Sequence, residues 1–512
     1  MAQIRIENLT FSYEGSYDTV FEAASFHVDT SWKLGLIGRN GKGKTTLLHL
    51  LMGKLEYEGS IQKSTAFDYF PYPVSEEDLR KTPRDLISLW KPGAEEWQIL
   101  LQLGLIQMDP ACLDMPLGTL SPGERTRMML AVLFAGENEF LLIDEPTNHL
   151  DTEAREAVKQ FLSKKKGFIL VSHDRDLLDA VIDHVLVLNR KTIEVQAGNF
   201  SSWWENKEKS DAFAAAENEK HLQEIQKLKS AADRSSRWAQ KNESTKIGYD
   251  PIKETDRSIS SRSYIGAKTK KMQSRVKSYE RRIEREVEEK EGLLKDIEQV
   301  ADLKLTVLLH HKERLIEAHS LSIRYGEGEP LFENLRFVAR RGERIILSGK
   351  NGSGKSSIIK AILQREGLLK ETKGTEKMVV EGDLYVAPGL TISYAAQDTS
   401  FLRGSLENFC RERELDKSLF LAILRQLDLG RDQFVKNIED FSEGQKKKVL
   451  ITASLLTPAH LYIWDEPLNY MDVFSRMQIE KLLLTYQPSM LMVEHDVRFQ
   501  EKIATGIIKI PG

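Results

Sequence analysis

The sequence predicts two tandem copies of one α/β domain joined by a long α-helical hairpin. Two observations predict the tandem copies. Gly38-Arg39-Asn40-Gly41-Lys42-Gly43-Lys44-Thr45, followed by Thr46, recurs as Gly349-Lys350-Asn351-Gly352-Ser353-Gly354-Lys355-Ser356, followed by Ser357, with the lysines 311 residues apart. Leu120-Ser121-Pro122-Gly123-Glu124 and Asp144-Glu145-Pro146 recur 321 residues later as Phe441-Ser442-Glu443-Gly444-Gln445 and Asp465-Glu466-Pro467. Four motifs, counting His173-Asp174 and His495-Asp496, in one order at nearly one offset are a duplication. The third observation is the segment between the copies, which is rich in Glu, Lys, Arg, Gln and Ala and has no Gly or Pro from 205 to 247. The predicted boundaries are 1–204, 205–300 and 301–512.

A chain of 512 residues is long enough for several cores. No stretch approaches the ~18–20 apolar residues of a membrane span. The start, MAQIRIENLTFSYEG, lacks a secretory pattern. Two cysteines, Cys112 and Cys410, far apart and without metal-type spacing, exclude a disulfide framework and a zinc module, and fit a reducing cytosol. The net charge of -4 is uneven: Lys220 to Arg285 holds 18 Lys/Arg against 8 Asp/Glu. A basic centre between acidic bodies suits a polyanionic partner, or is a solvated helical face.

Within the linker, Val276, Tyr279, Ile283, Val287, Leu294 and Ile297 form the narrow stripe of a two-helix coiled coil, with Leu222, Ile225, Leu228 and Ala232 facing it. Gly248, Pro251 and the serines at 258–263 break the helix, so an apical loop is expected near 244–266. A return helix from Ala267 to Val300 would reach about 50 Å at ~1.5 Å per residue. In the loop, Ile247, Tyr249, Ile252 and Tyr264 are apolar or aromatic in polar surroundings. They stack on unpaired RNA bases or fold back to cap the hairpin. Lys268, Lys270 and Lys271 follow as candidate RNA-phosphate contacts.

The chemistry of each repeated motif is specific. Glycines let successive N–H groups turn toward phosphates, the lysine reaches the β/γ-phosphates, and Thr45 or Ser356 ligates Mg²⁺. Asp144 and Asp465, after apolar strands, are the expected metal partners, and Glu145 and Glu466 the general bases for water. His173 and His495 end apolar β-like runs and suit a γ-phosphate contact; a structural histidine is the other reading. Tyr13 and Tyr325, after matching N-terminal strands, suit adenine stacking or are core aromatics.

These residues resemble ATP-binding cassette nucleotide-binding domains, and the signatures at Ser121–Gly123 and Ser442–Gly444 separate them from other P-loop NTPases. The tandem arrangement, Glu145-Pro146-Thr147-Asn148-His149-Leu150-Asp151, and Gly198-Asn199-Phe200-Ser201-Ser202-Trp203 before the linker resemble the ABC-F family. Trp464-Asp465-Glu466-Pro467-Leu468-Asn469-Tyr470-Met471-Asp472 is similar to the Lsa and Vga antibiotic-resistance group. The resemblance implies head-to-tail closure over two ATP. One site would pair Lys44, Glu145 and His173 with Ser442 and Gly444. The other would pair Lys355, Glu466 and His495 with Ser121 and Gly123. It also implies that Gln397 approaches the metal, and that a cytoplasmic monomer enters the 70S ribosome with its linker directed at 23S rRNA and P-site tRNA. Protection from lincosamides, pleuromutilins and streptogramin A is then expected. A housekeeping translation factor and the ATPase subunit of an exporter are the competing functions; the basic hairpin argues against the exporter. The sequence departs from the family pattern in four places. Tyr72 stands where Gln397 stands in the second copy; Pro122 and Glu443 replace the glycine after each signature serine; the arm of some relatives has little room; and no long extension follows His495.

Overall fold

The computed structural model describes residues 3–13, 19–63, 65–136, 140–148, 150–188, 193–244, 277–278, 281–283, 305–369 and 377–511. The chain divides into two compact units, Met1–Trp203 with Val300–Gly512, and Trp204–Gln299. The first unit holds both copies, and each is built from the same two sheets. In the first copy, strands Thr19–Asp29, Gln3–Ser12 and Glu58–Gln62 form an antiparallel sheet in that order. The larger sheet runs Phe67–Phe70, Phe140–Asp144, Phe168–Val171, Lys33–Gly38, His184–Leu188, Ile193–Ala197, parallel up to its last, antiparallel strand. In the second copy Phe332–Arg340, Arg314–Tyr325 and Met378–Val386 make the antiparallel sheet. Ile392–Ala395, Leu461–Asp465, Met490–Val493, Arg344–Ser348 and Gly506–Lys509 make a wholly parallel one.

The parallel strands read as unbroken apolar runs because both faces are covered. Phe168–Val171 and Met490–Val493 are buried at every residue. Leu47, Leu48, Leu50 and Leu51 of helix Lys44–Met52, and Ile358, Ile359 and Ile362 of helix Lys355–Arg365, close the two central cores. The carboxyl ends of these strands, where such sheets place ligands, carry the Gly-rich loops and the Asp-Glu pairs.

In the second unit, helix Phe200–Ser244, rooted in the first unit, supplies Ile225, which is buried against Ile283, with Leu228 packed on the pair. Leu222, expected in that stripe, is 52% exposed, and Val276, Tyr279, Val287, Leu294 and Ile297 lie outside the described residues. The loop residues Ile247, Tyr249, Ile252 and Tyr264 and the lysines 268, 270 and 271 lie outside the described residues.

Candidate active site: two facing nucleotide sites

Each Gly-rich loop turns through a left-handed glycine into its helix. A Cβ on Gly43 would meet Val20 at 2.6 Å and Phe21 at 3.0 Å, and one on Gly354 would meet Phe332 at 2.9 Å, so these aromatic supports admit only glycine. Lys44 is buried, its Nζ donating to the carbonyl of Gly38 (2.8 Å) and to Asn40 Oδ1 (3.2 Å). Lys355 donates likewise to Gly349 and Lys350 (2.8 and 2.7 Å). Burial lowers both ammonium pKa values. Thr45 Oγ1 donates to Asp144 Oδ2 at 2.8 Å, and Ser356 Oγ to Asp465 Oδ1 at 3.1 Å. Burial raises both carboxyl pKa values, Asp465 to about 6. One hydroxyl and one carboxylate per site is a hard-oxygen set that suits a divalent cation beside phosphates. Tyr13 Oη lies 2.7 Å from Thr46 Oγ1 and Tyr325 Oη 3.0 Å from Ser357 Oγ, so each tyrosine joins the end of an antiparallel strand to the first turn of the helix after its loop.

Glu145 and Glu466 follow their strands in the left-handed region, φ 51° and 47°, a conformation that costs a residue with a Cβ roughly 1 kcal/mol or more. Their N–H groups donate to Val171 (2.9 Å) and Val493 (3.0 Å), which fixes that turn to the neighbouring strand. His173 Nε2 stands 3.2 Å from Glu145 Oε1, and His495 Nε2 3.7 Å from Glu466 Oε1. The two acids differ electrostatically. Burial, then the Asp144 charge, pushes Glu145 up to about 8. Burial also pushes Glu466 up, but His495, Gln397 and Lys447 outweigh it and hold the carboxyl below its usual range. Burial thus favours the protonated form of Glu145, whereas its partners favour the carboxylate of Glu466. Burial, then the Lys44 charge, keeps His173 neutral.

The copies face each other across both loops. Asn40 Nδ2 donates to the Tyr470 carbonyl at 2.9 Å, and a Cβ on Gly444 would come within 3.2 Å of Asn40 Nδ2. Arg39 pairs with Asp428 at 3.3 Å. At the other loop, Asn351 N–H reaches Asp151 Oδ2 at 3.4 Å and Lys350 pairs with Glu153 at 3.1 Å. A cavity of ≈ 490 Å³ there is lined by Tyr325, Lys355, Gln397, Glu466 and His495 from the second copy and Pro122 from the first. Ser121 and Ser442 cap the helices Pro122–Leu133 and Glu443–Leu456, each in a capping box. Helix N-termini of this kind suit an anion. A Cβ on Gly123 would lie 3.4 Å from Leu150 of its own copy, whereas one on Gly444 would meet the Tyr470 carbonyl of its own copy at 2.4 Å as well as Asn40 of the opposite loop.

The two copies diverge at Tyr72 and Gln397. Gln397 hydrogen-bonds Glu466, whereas Tyr72 turns inward, stacks on Trp90 (5.2 Å, 4°) and donates to Asp68 Oδ2 at 2.9 Å. Tyr69, three residues earlier, instead donates to Asp144 Oδ2 at 3.2 Å. Sequence reasoning passed over Tyr69 and gave no site role to Asp151, Asn469 (2.6 Å from Glu466 Oε2) or Asp472, which pairs with buried Lys448 at 2.8 Å. The repeat offset marked the aspartates. Tyr69 had only its counterpart Tyr394 as a signal.

Fold and site together define a twin-cassette P-loop ATPase. The family pattern described as ABC transporter matches residues 21–148 and 332–469. The chain is 28% identical over 506 residues to the ribosome protection protein VmlR of Bacillus subtilis, spanning 98% of this chain and 85% of that protein. It is 24% identical to ABC transporter F family member 5 of Arabidopsis thaliana, over 99% of this chain and 75% of the other. In fold it is similar to archaeal ABCE1, solved in complex with the ribosomal stalk protein aP1, at TM-score 0.59 and 18% identity, covering 99% of this chain and 87% of that one. The chain belongs to the ABC transporter family, as an ABC-F ATPase similar to the ribosome protection proteins. Among the described residues no helix is long and apolar enough to cross a membrane.

Proposed function

We propose that this ATPase is a cytoplasmic monomer that binds the 70S ribosome and protects it from antibiotics acting at the peptidyl-transferase centre, in particular lincosamides, pleuromutilins and streptogramin A. The observation that carries the reading is the similarity to a ribosome protection protein along 98% of the chain, linker included. The basic linker, 18 Lys/Arg against 8 Asp/Glu, supports a polyanionic partner such as 23S rRNA, with the P-site tRNA beside it. We further propose that each ATP lies between one Gly-rich loop and the opposite signature, with Thr45 and Asp144, or Ser356, Asp465 and Gln397, around Mg²⁺. Lys44 and Lys355 bind the phosphates, His173 and His495 orient them, and Glu466, and Glu145 in its ionised form, take the proton of the attacking water. Closure of the cassettes on ATP favours the ribosome-bound form, and hydrolysis permits release.

The test expresses the chain in a susceptible host and measures minimum inhibitory concentrations for the three drug classes, alongside ribosome co-sedimentation. Protection is expected to vanish, with ATP turnover retained, when residues 244–263 are replaced by a short Gly/Ser linker. Co-sedimentation without any rise in inhibitory concentration would instead assign a housekeeping translation factor. Absence of co-sedimentation would overturn both.

A further inference from the structure

Helix Glu96–Leu105 in the first cassette presents an apolar face to solvent. Its buried side is Ile99 and Leu103, while Trp97 is 60% exposed, Leu101 54%, Leu105 41% and Leu100 37%. Gly104, also on the outward side, has open space above it. At 3.6 residues per turn these five positions form one continuous arc, where a surface helix ordinarily carries polar residues. The duplication supplies an internal control. Helix Lys417–Gln426 of the second cassette buries Phe420 and Leu424 at the places of Ile99 and Leu103. Its positions matching Trp97, Leu101, Gly104 and Leu105 are Ser418, Ala422, Arg425 and Gln426, and only Leu100 keeps its leucine, as the half-buried Leu421. The fold therefore does not require the apolar arc.

The charges around the arc limit what covers it. Glu95 and Glu96 stand at its beginning, Asp109 four residues beyond its end, and Asp114 beside its start. The neighbouring cation, Arg84, is taken up by Glu96 (2.5 Å) and Asp114 (3.0 Å), and the Trp97 indole N–H donates to Glu95. Residues 73–120 hold eight Asp/Glu against four Lys/Arg. Carboxylates at both ends repel a phosphate backbone and favour cationic flanks on a partner. We infer that this face docks a basic amphipathic helix of a partner protein, with Trp97 and Leu101 as anchors and the flanking acids selecting positive charge. The inference stands apart from the ribosome-protection reading and is tested without ribosomes.

A fluorescently labelled Leu/Lys amphipathic helical peptide is titrated into the full chain by anisotropy, with a matched Leu/Glu peptide and a single-stranded oligouridine as competing probes. The variant W97S/L101A/L105Q carries the second cassette's residues at exposed positions, and its ATP turnover is the check on folding. The expected result is binding of the Leu/Lys peptide that weakens about tenfold or more in the variant, falls with salt, and is not matched by either other probe. Should the variant lose turnover, W97S alone replaces it, with the same expectation. Equal binding by wild type and variant would overturn the inference. So would preference for the Leu/Glu peptide or oligouridine, or a wild-type dimer in sedimentation that the variant abolishes.

Discussion

The clearest energetic prediction concerns the pair that crosses between the cassettes, Arg175 and Glu480. Arg175 is 2% exposed and Glu480 4%. The guanidinium makes a two-pronged contact, one prong at 3.1 Å, and the only other cation on the carboxylate among the described residues is the half-exposed Lys502 at 3.5 Å. Glu480→Gln leaves a buried guanidinium short of its counter-charge, which costs about 3–5 kcal/mol. At about 1.4 kcal/mol per decade, the juxtaposed arrangement weakens from about a hundredfold to several thousandfold. Replacing both partners by apolar residues of similar volume removes the charges as well as the attraction, and such exchanges are near neutral. Arg175→Met with Glu480→Leu should therefore keep most ATP turnover while each single substitution loses it. A double-mutant cycle on turnover, with small-angle scattering to follow separation of the cassettes, measures the coupling. Single variants with wild-type turnover and dimensions, or a double variant as impaired as the sum of the singles, would refute the reasoning.

Glu145→Gln combined with Glu466→Gln should retain ATP binding and lower turnover at least about a hundredfold, read as phosphate release, since an amide takes no proton from water. Phe474→Glu, which installs the residue found at the matching place in the first cassette, should disturb the contact beneath Trp203 (6.2 Å between rings). An environment-sensitive label near Trp203 should then lose its response to ATP while nucleotide binding persists. Burial raises the Cys112 thiol to about 11, so its thiolate fraction at pH 8 is about one part in a thousand. Maleimide should label Cys112 at least about tenfold more slowly than a free thiol, and its rate should rise with pH up to about 11; rapid labelling at pH 7 would contradict that burial.

Glycine spacing made the phosphate loops legible, because few backbones tolerate Gly43 and Gly354 except those that turn under an aromatic support. The place of Asp144 and Asp465 beside the loop hydroxyls was legible from their position after apolar strands. Tyr69 and Tyr72 were not. Adjacent residues of a strand face opposite ways, and strand Phe67–Phe70 directs Tyr69 at Asp144. The chain then turns at Pro71, and Tyr72 finds a stacking partner in Trp90 that no local pattern announces. The contacts between cassettes escaped for a related reason. Arg39 with Asp428 and Arg175 with Glu480 join residues hundreds of positions apart, so only the docked surfaces bring them together.

The duplication also shows where the two sites have parted. The same loop position is Arg39 in one cassette and Lys350 in the other, and the same opposing helix position is Phe474 and Glu153. Lys350 meets Glu153 as an ion pair with both side chains more than two-thirds exposed, worth at most about 1 kcal/mol and screened by salt. Arg39 lies 5.7 Å from the Phe474 ring centre, and its charge is held by Asp428 in a pair less than one-seventh exposed. The other side of that ring system leads to Trp203, while Ser201 is held to Asp179, which also pairs with Arg498 of the second cassette. A weak, solvated contact at one loop transmits little when the loop moves. A packed chain from Arg39 through Phe474 to Trp203 must repack when Arg39 is displaced. Trp203 is thereby packed onto the side chain that meets the first Gly-rich loop, while Ser201, two residues earlier, accepts from Arg498 at 3.1 Å, three residues beyond His495 of the second site.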